Sequence, residues 1–279
     1  MGVQSVSRLV RRAALYGALA AAVIVVAMPM YWLVVSAFKK SDEIFTATPR
    51  WLPAGLEWQN FVRAWNGAAF GRYFVNSTLV VLAILGLQLV TSSLAAYALS
   101  RRRFPGRQVI LLVVIGALVI PIQVTFLANF ITLRHLGWLD SYGALIAPFA
   151  ASAFGTFLLR QAFLAVPDAL EDAARLDRCT GLGFLWHFLL PLARPTVLAF
   201  ALVAVVAHWN DYFWPLIATN RDEIRTLPIG LALFVSQELT TDWNLLMAAT
   251  LFVAAPMLIV FFFTQRYFIR SHMHAGLKR

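Results

Sequence analysis

Charge is scarce in this chain. Only 13% of its 279 residues are Asp, Glu, Lys or Arg, about half the share that covers an ordinary soluble domain. Cysteine is scarcer still: the single Cys179 excludes an internal disulfide framework, and nothing near it in sequence looks like a second metal ligand. No Gly-x4-Gly-Lys-Ser/Thr loop occurs, which excludes a P-loop nucleotide hydrolase. No constellation of His with acids, as an integral-membrane enzyme would carry at a membrane face, is found either. What fills the space is apolar: 61% hydrophobic residues and a mean hydropathy of +0.74, the composition of a polytopic membrane protein. The formal charge of +10 would suit nucleic acid, but multi-span proteins collect Lys and Arg on their cytoplasmic loops for topological reasons alone, so no nucleic acid is expected.

Apolar runs at about 13–38, 74–99, 109–133, 143–166, 196–218 and 244–268 each approach the ~20 residues that cross a hydrocarbon core. The expected fold is therefore an all-α membrane protein with six transmembrane helices in one bundle, forming a single domain over 1–279. The first run is too long for a signal-peptide core and reads as a retained span adjusted near Pro29. The fourth is interrupted by Pro148 and Gly155. With the N-terminus in the cytoplasm, Arg8, Arg11, Arg12, the Arg101–Arg103 cluster, Arg107, Arg160, Arg175, Arg178, Arg194, Arg266, Arg270, Lys278 and Arg279 share one side. Lys39, Lys40, Arg50, Arg63, Arg72, Arg134, Arg221 and Arg225 take the other, mostly in a long first loop where the charge rule is weaker. Both termini are thus expected inside. The outer loop 39–73 holds Trp51, Trp58 and Trp65, which fit an interfacial belt and also fit ligand stacking.

One segment exceeds what membrane insertion needs: EDAARLDRCTGLGFLWHFLLPLARP, residues 171–195. Asp168 stands three residues before Glu171, the spacing of a capping box. Glu171 and Asp172 suit a helix N-terminus, and Glu171 with Arg175 has the supporting i,i+4 order. The spacing predicts a short helix over about 169–178, with Ala173 and Ala174 as a smooth strip for close approach. Gly181 and Gly183 permit a reversal, and Phe184, Leu185, Trp186, Phe188 and Leu189 form a returning apolar arm before Pro191 and Pro195. A lipid-surface helix is the bland alternative, but Glu171, Asp172 and Asp177 would repel anionic headgroups. A protein partner fits better.

This segment resembles the cytoplasmic coupling loop of the permease subunits of binding-protein-dependent ABC importers. Asp172-Ala173-Ala174 stands for the family's Glu-Ala-Ala, Phe188 for its Ile, and Leu190-Pro191 for its Leu-Pro. Asp replaces Glu at 172, and Arg178 occupies the usual Gly position. HWNDYFWPLI at 208–217, TLPIGLALF at 226–234, FFFTQRYFIR at 261–270 and the first-loop stretch WLPAGLEWQNFVRAW resemble the carbohydrate-uptake branch, the maltose-type inner permease subunits. The resemblance implies a bacterial inner-membrane subunit forming half of a translocation path for a sugar or sugar-like solute. It also implies as partners a second permease, two copies of an ATPase subunit that bind ATP and Mg, and an extracytoplasmic solute-binding protein. No cofactor is expected on this chain, and it is not expected to be an enzyme. Glu171, Asp172, Ala173, Ala174, Asp177 and Arg178 are expected to dock on the ATPase, with Gly181 as hinge. A bulky charge at Ala174 is expected to uncouple hydrolysis from uptake.

Polar groups within apolar spans are costly unless they face a cavity or a partner helix. Gln123, Asn129, Trp209, Asn210 and Asp211 are the solute-path candidates, sugar recognition joining aromatic faces to planar polar groups. For Gln88, Thr91 and Ser92, interhelical hydrogen bonding is the competing role. His272 and His274 suit a solvated tail, and no metal site is assigned. The rival class is an ATP-independent secondary transporter or channel, for which mid-span charges and paired broken helices would be expected. A glycerol-phosphate solute is the alternative cargo.

Overall fold

The computed structural model describes residues 3–236 and 242–275. Lys278 and Arg279 lie outside the described residues, as do residues 237–241, and so do the side chains of Arg8, Arg266, Arg270, His272 and His274. Among the described residues all regular structure is helical. Three helices, Val10–Ala37, Phe70–Arg101 and Trp243–Thr264, are each long and apolar enough to cross a membrane, and up to six crossings result if each bent helix pair counts as one.

In chain order the helices are α1 (Val3–Ala37), α2 (Gln59–Gly67), α3 (Phe70–Arg101), α4 (Arg107–Val119), α5 (Phe126–His135), α6 (Tyr142–Ile146), α7 (Ala153–Leu164) and α8 (Asp168–Leu176). They continue as α9 (Leu182–Phe184), α10 (Leu190–Leu192), α11 (Arg194–Trp209), α12 (Phe213–Ala218), α13 (Leu227–Ser236) and α14 (Trp243–Ala275). They divide into two compact units, Met1–Ala68 with Leu231–Ala255, and Ala69–Gly230 with Pro256–Arg279.

In the first unit α1 continues through Pro29, and the apolar side chains of Val23, Ile24, Val25 and Val26 point outward, as suits a helix solvated by lipid. The loop after it is tied to the helix end. Lys39, fully buried, donates from Nζ to Arg50 O at 2.5 Å and lies over the Trp32 ring at 4.1 Å. Burial lowers the Lys39 pKa, and the nearby Glu43 carboxylate opposes that shift. Asn60, also buried, donates to Ala37 O and Lys39 O and accepts from Asn244 Nδ2 at 2.9 Å. Trp51, Trp58 and Trp65 remain exposed, with edge contacts to Trp32, Phe38 and Phe252.

In the second unit α3 is the central helix. Tyr73, Asn76, Val80, Ile84, Gln88, Ser92, Ala96 and Leu99 form a buried stripe at helical spacing, packed chiefly on α7 and α11. Val80 and Ile84 join Leu145, Phe149 and the fully buried Trp214 in one apolar cluster; Ala96 and Tyr97 join Leu159, Phe163, Phe184, Leu185 and Leu189 in another. Between them the stripe turns polar, because the helix opposite is broken. The break between α6 and α7 frees carbonyls that cannot stay bare in hydrocarbon. Gln88 Nε2 donates to Phe149 O at 2.9 Å, Thr91 Oγ1 to Ala150 O at 2.9 Å, and Ser92 Oγ to Ser152 O at 3.3 Å. Interhelical bonding is thus the role these three play.

Two expectations need correction. The run 109–133 is not one straight helix: α4 and the segment Ile122–His135 meet at 100°. Pro121 lacks the amide to continue the helix and holds Ile120 extended at ψ 118°. Gly155 does not interrupt the fourth crossing, whose break falls earlier, where the Ser152 side chain caps α7 by accepting from Gly155 N. Gly155 serves instead for close approach to α11, since a Cβ there would meet the Phe200 ring at 2.2 Å.

Candidate coupling elbow

After α7 the chain bends at Val166-Pro167 and enters α8. Asp168 and Glu171 lie in the first turn, where the helix dipole favours negative charge, and Arg175 lies in the last. Glu171 Oε1 pairs with Arg175 at 3.0 Å in the expected i,i+4 order, and Asp172 Oδ1 pairs with the same guanidinium at 3.4 Å. The capping-box expectation fails: Asp168 is the first helical residue, Pro167 precedes it, and no side chain caps the amides. Asp168 is instead drawn to Arg101, whose guanidinium also lies 3.8 Å from Glu171 Oε2. The same guanidinium donates to Phe163 O at 2.6 Å and Val166 O at 2.5 Å, and its side chain is only 4% exposed.

At its other end α8 closes in a Schellman motif. Cys179 N donates to Ala174 O at 2.8 Å and Arg178 N to Arg175 O at 3.0 Å, with Arg178 at φ +58°. Arg178 therefore adopts the left-handed conformation for which this turn prefers Gly, so its presence leaves the turn intact. Gly181 follows at φ +63°, ψ −127°, a conformation open to glycine alone. The returning arm runs through α9, a π-helical turn at Leu185–Leu189, and α10, with Pro191 and Pro195 as the second residues of α10 and α11. Phe184, Leu185 and Leu189 are buried.

The two alanines diverge. Ala174 is 2% exposed and belongs to the apolar cluster beneath α8 with Phe163 and Phe184, whereas Ala173 faces out. The expectation that both form an outer strip is corrected: Ala174 lets α8 sit close to its own bundle, and Glu171 is turned inward to Arg101. The outward face carries Asp172, Ala173, Asp177, Arg178 and Leu176, the last 86% exposed. Sequence reasoning missed Leu176 and Arg101. A helical wheel would place Leu176 with Asp172 and Ala173, but nothing distinguishes Arg101 within the Arg101–Arg103 cluster.

The solute-path candidates scatter. Gln123 is exposed in the turn after Pro121, and Asn129 on α5 faces Thr125 at 3.5 Å. Trp209 is buried, edge-on to Phe74 with centroids 5.7 Å apart. Asn210 is exposed and donates to Val206 O at 2.8 Å. Asp211 Oδ1 accepts from Trp214 N at 3.3 Å, supporting the start of α12. Asp211 also lines a cavity of about 10 Å³ with Ser77, His208 and Thr226, room for about one water and no sugar. On α12 itself, the buried Trp214 donates from Nε1 to Ala144 O at 3.0 Å, so its ring is core packing.

Fold and elbow together define a multi-pass helical membrane protein with a short helix, exposed on one face, between its fourth and fifth crossings. The chain belongs to the family described as binding-protein-dependent transport system inner membrane component, whose family model matches residues 88–272. It is 36% identical over 258 residues to a probable ABC transporter permease protein, YurM, of Bacillus subtilis, covering 91% of this chain and 85% of that one. It is 32% identical over 256 residues to the sn-glycerol-3-phosphate transport system permease protein UgpE of Yersinia pestis, covering 89% and 91%. Its fold is that of a chain in the crystal structure of a bacterial ABC transporter involved in the import of the acidic polysaccharide alginate, with TM-score 0.82, 22% identity, and coverage of 96% and 99%.

Proposed function

We propose that this permease moves a neutral sugar or oligosaccharide inward. It would form half of a path completed by a second permease and fed by an extracytoplasmic binding protein, with ATP and Mg held by two separate ATPase subunits. The observation that carries the reading is α8: a short rigid helix, pinned to its own bundle at Glu171 and Ala174, offers Asp172, Ala173, Leu176, Asp177 and Arg178 outward. Gly181 lets the returning arm turn back. An exposed Leu flanked by acids suits a groove on a protein and not a lipid surface. On this reading α8 and both termini lie on the cytoplasmic side of the inner membrane. A rigid helix held in a groove passes domain closure to a bistable bundle.

For cargo, a relative named for glycerol phosphate raises the alternative of a phosphate solute. The path candidates Gln123, Asn129, Trp209, Asn210 and Asp211 include an acid and no cation. Of Lys39, Arg50 and Arg72, the cations a phosphate would use, the first two are engaged within their own loop by Arg50 O and Glu43, and Arg72 is exposed at the start of α3. These features favour a neutral polyol.

The test is Leu176→Glu in the complex reconstituted in proteoliposomes. Because Leu176 is exposed, the bundle should fold; ATP hydrolysis should persist while solute moved per ATP falls roughly tenfold. An unchanged ratio would contradict docking through this face.

A further inference from the structure

Arg101 closes α3, yet its guanidinium reaches away from its own helix. It meets four acceptors in two groups: the Phe163 and Val166 carbonyls at the end of α7, and the Asp168 and Glu171 carboxylates in the first turn of α8. At 4% exposure a cation needs such partners, and a planar fork is the shape that serves carbonyls and carboxylates at once. The opposite tie also exists. Arg160 of α7 donates from Nε to Leu99 O at 3.1 Å, and Arg107 of α4 donates to the same oxygen at 2.9 Å, capping the end of α3. Thus α3 and α7 are joined by reciprocal guanidinium caps, and only the cap from Arg101 extends to α8. Between α7 and α8 the chain is turned by Val166 N donating to Phe163 O at 3.2 Å and by Pro167, which fixes its own φ, and the direction of α8 is then set by side-chain contacts, the buried Ala174 at its far end and Arg101 at its first turn.

Resting on the coupling role proposed above, we propose that Arg101 is the positioning residue that makes α8, α3 and α7 move as one body, so that force on α8 reaches the bundle. Without it α8 would still dock and keep its Ala174 packing, but its first turn would lose the tie to α3 and the end of α7. Docking and transmission are therefore separable properties, carried by opposite faces of the same helix.

The reconstituted complex distinguishes this from a merely structural cap. Arg101→Gln should assemble with its partners and hydrolyse ATP, with solute moved per ATP falling roughly tenfold. Arg101→Lys, which keeps the charge and loses the fork, should fall between that variant and wild type. Asp168→Asn alters a carboxylate that is 95% exposed, so folding is not at stake, and it should lower the same ratio to a smaller degree. If Arg101→Gln fails to assemble, Asp168→Asn decides alone. An unchanged ratio in Asp168→Asn, or in an assembled Arg101→Gln complex, overturns the proposal. If Leu176→Glu uncouples while Arg101→Gln stays coupled, the clamp falls and the docking reading stands; if Leu176→Glu stays coupled, the docking reading itself falls.

Discussion

Residue 178 shows how a departure from a family pattern is absorbed. The left-handed turn after α8 costs a non-glycine residue about 1–2 kcal/mol, and the Schellman bonds from Cys179 and Arg178 hold the turn regardless. Arg178→Gly should therefore stabilise the protein by about 1 kcal/mol, part of the relief being lost to the greater freedom of glycine when unfolded. Thermal unfolding of the purified chain checks this, and a lowered midpoint would contradict it. The substitution was legible in the sequence; its conformation was not, because one residue type cannot report its own φ. Ala173 and Ala174 make the same point, since adjacent identical residues face opposite ways and only the position of the bundle decides which is buried.

Among elements, hydropathy located the apolar stretches well, because helix length is imposed by the bilayer. It could not give direction: Pro121 is visible in the sequence, but the 100° turn there depends on what α4 and α5 pack against. Polar residues within spans were legible as costly but not in their partners. Gln88, Thr91 and Ser92 answer the broken α6–α7 backbone; Pro148 marks that break in the sequence, but nothing local says which carbonyls it frees or which side chains meet them. The connection 219–226 is ordered in a comparable way. Asp140 Oδ1 accepts from Asn220 N at 2.5 Å and Arg221 N at 3.0 Å, and these amides hold its carboxyl below the usual carboxylate range. A depressed folded pKa contributes stability that is complete above the unfolded value of about 3.9 and is lost as pH falls through the folded value. Asp140→Asn should speed amide exchange at Asn220 and Arg221 by roughly tenfold at neutral pH. Wild type should approach the variant under acid, as read by the susceptibility of 219–226 to pepsin; a gap that persists at acid pH would contradict the tie.

For the whole molecule, scarcity of charge and abundance of apolar residues settle membrane class, and the family match adds the importer permease. What remained beyond the sequence was the division of α8 into an anchoring face and an exposed face, because that division exists only once α3 and α7 are in place beneath it. Placing a cysteine at Leu176 in a Cys179→Ser background, and photocrosslinking from it in membranes that contain the assembled complex, tests the central claim directly. The account predicts a crosslink to the ATPase subunit whose yield changes when ATP binds. Crosslinks to lipid alone, in vesicles where uptake runs normally, would contradict it.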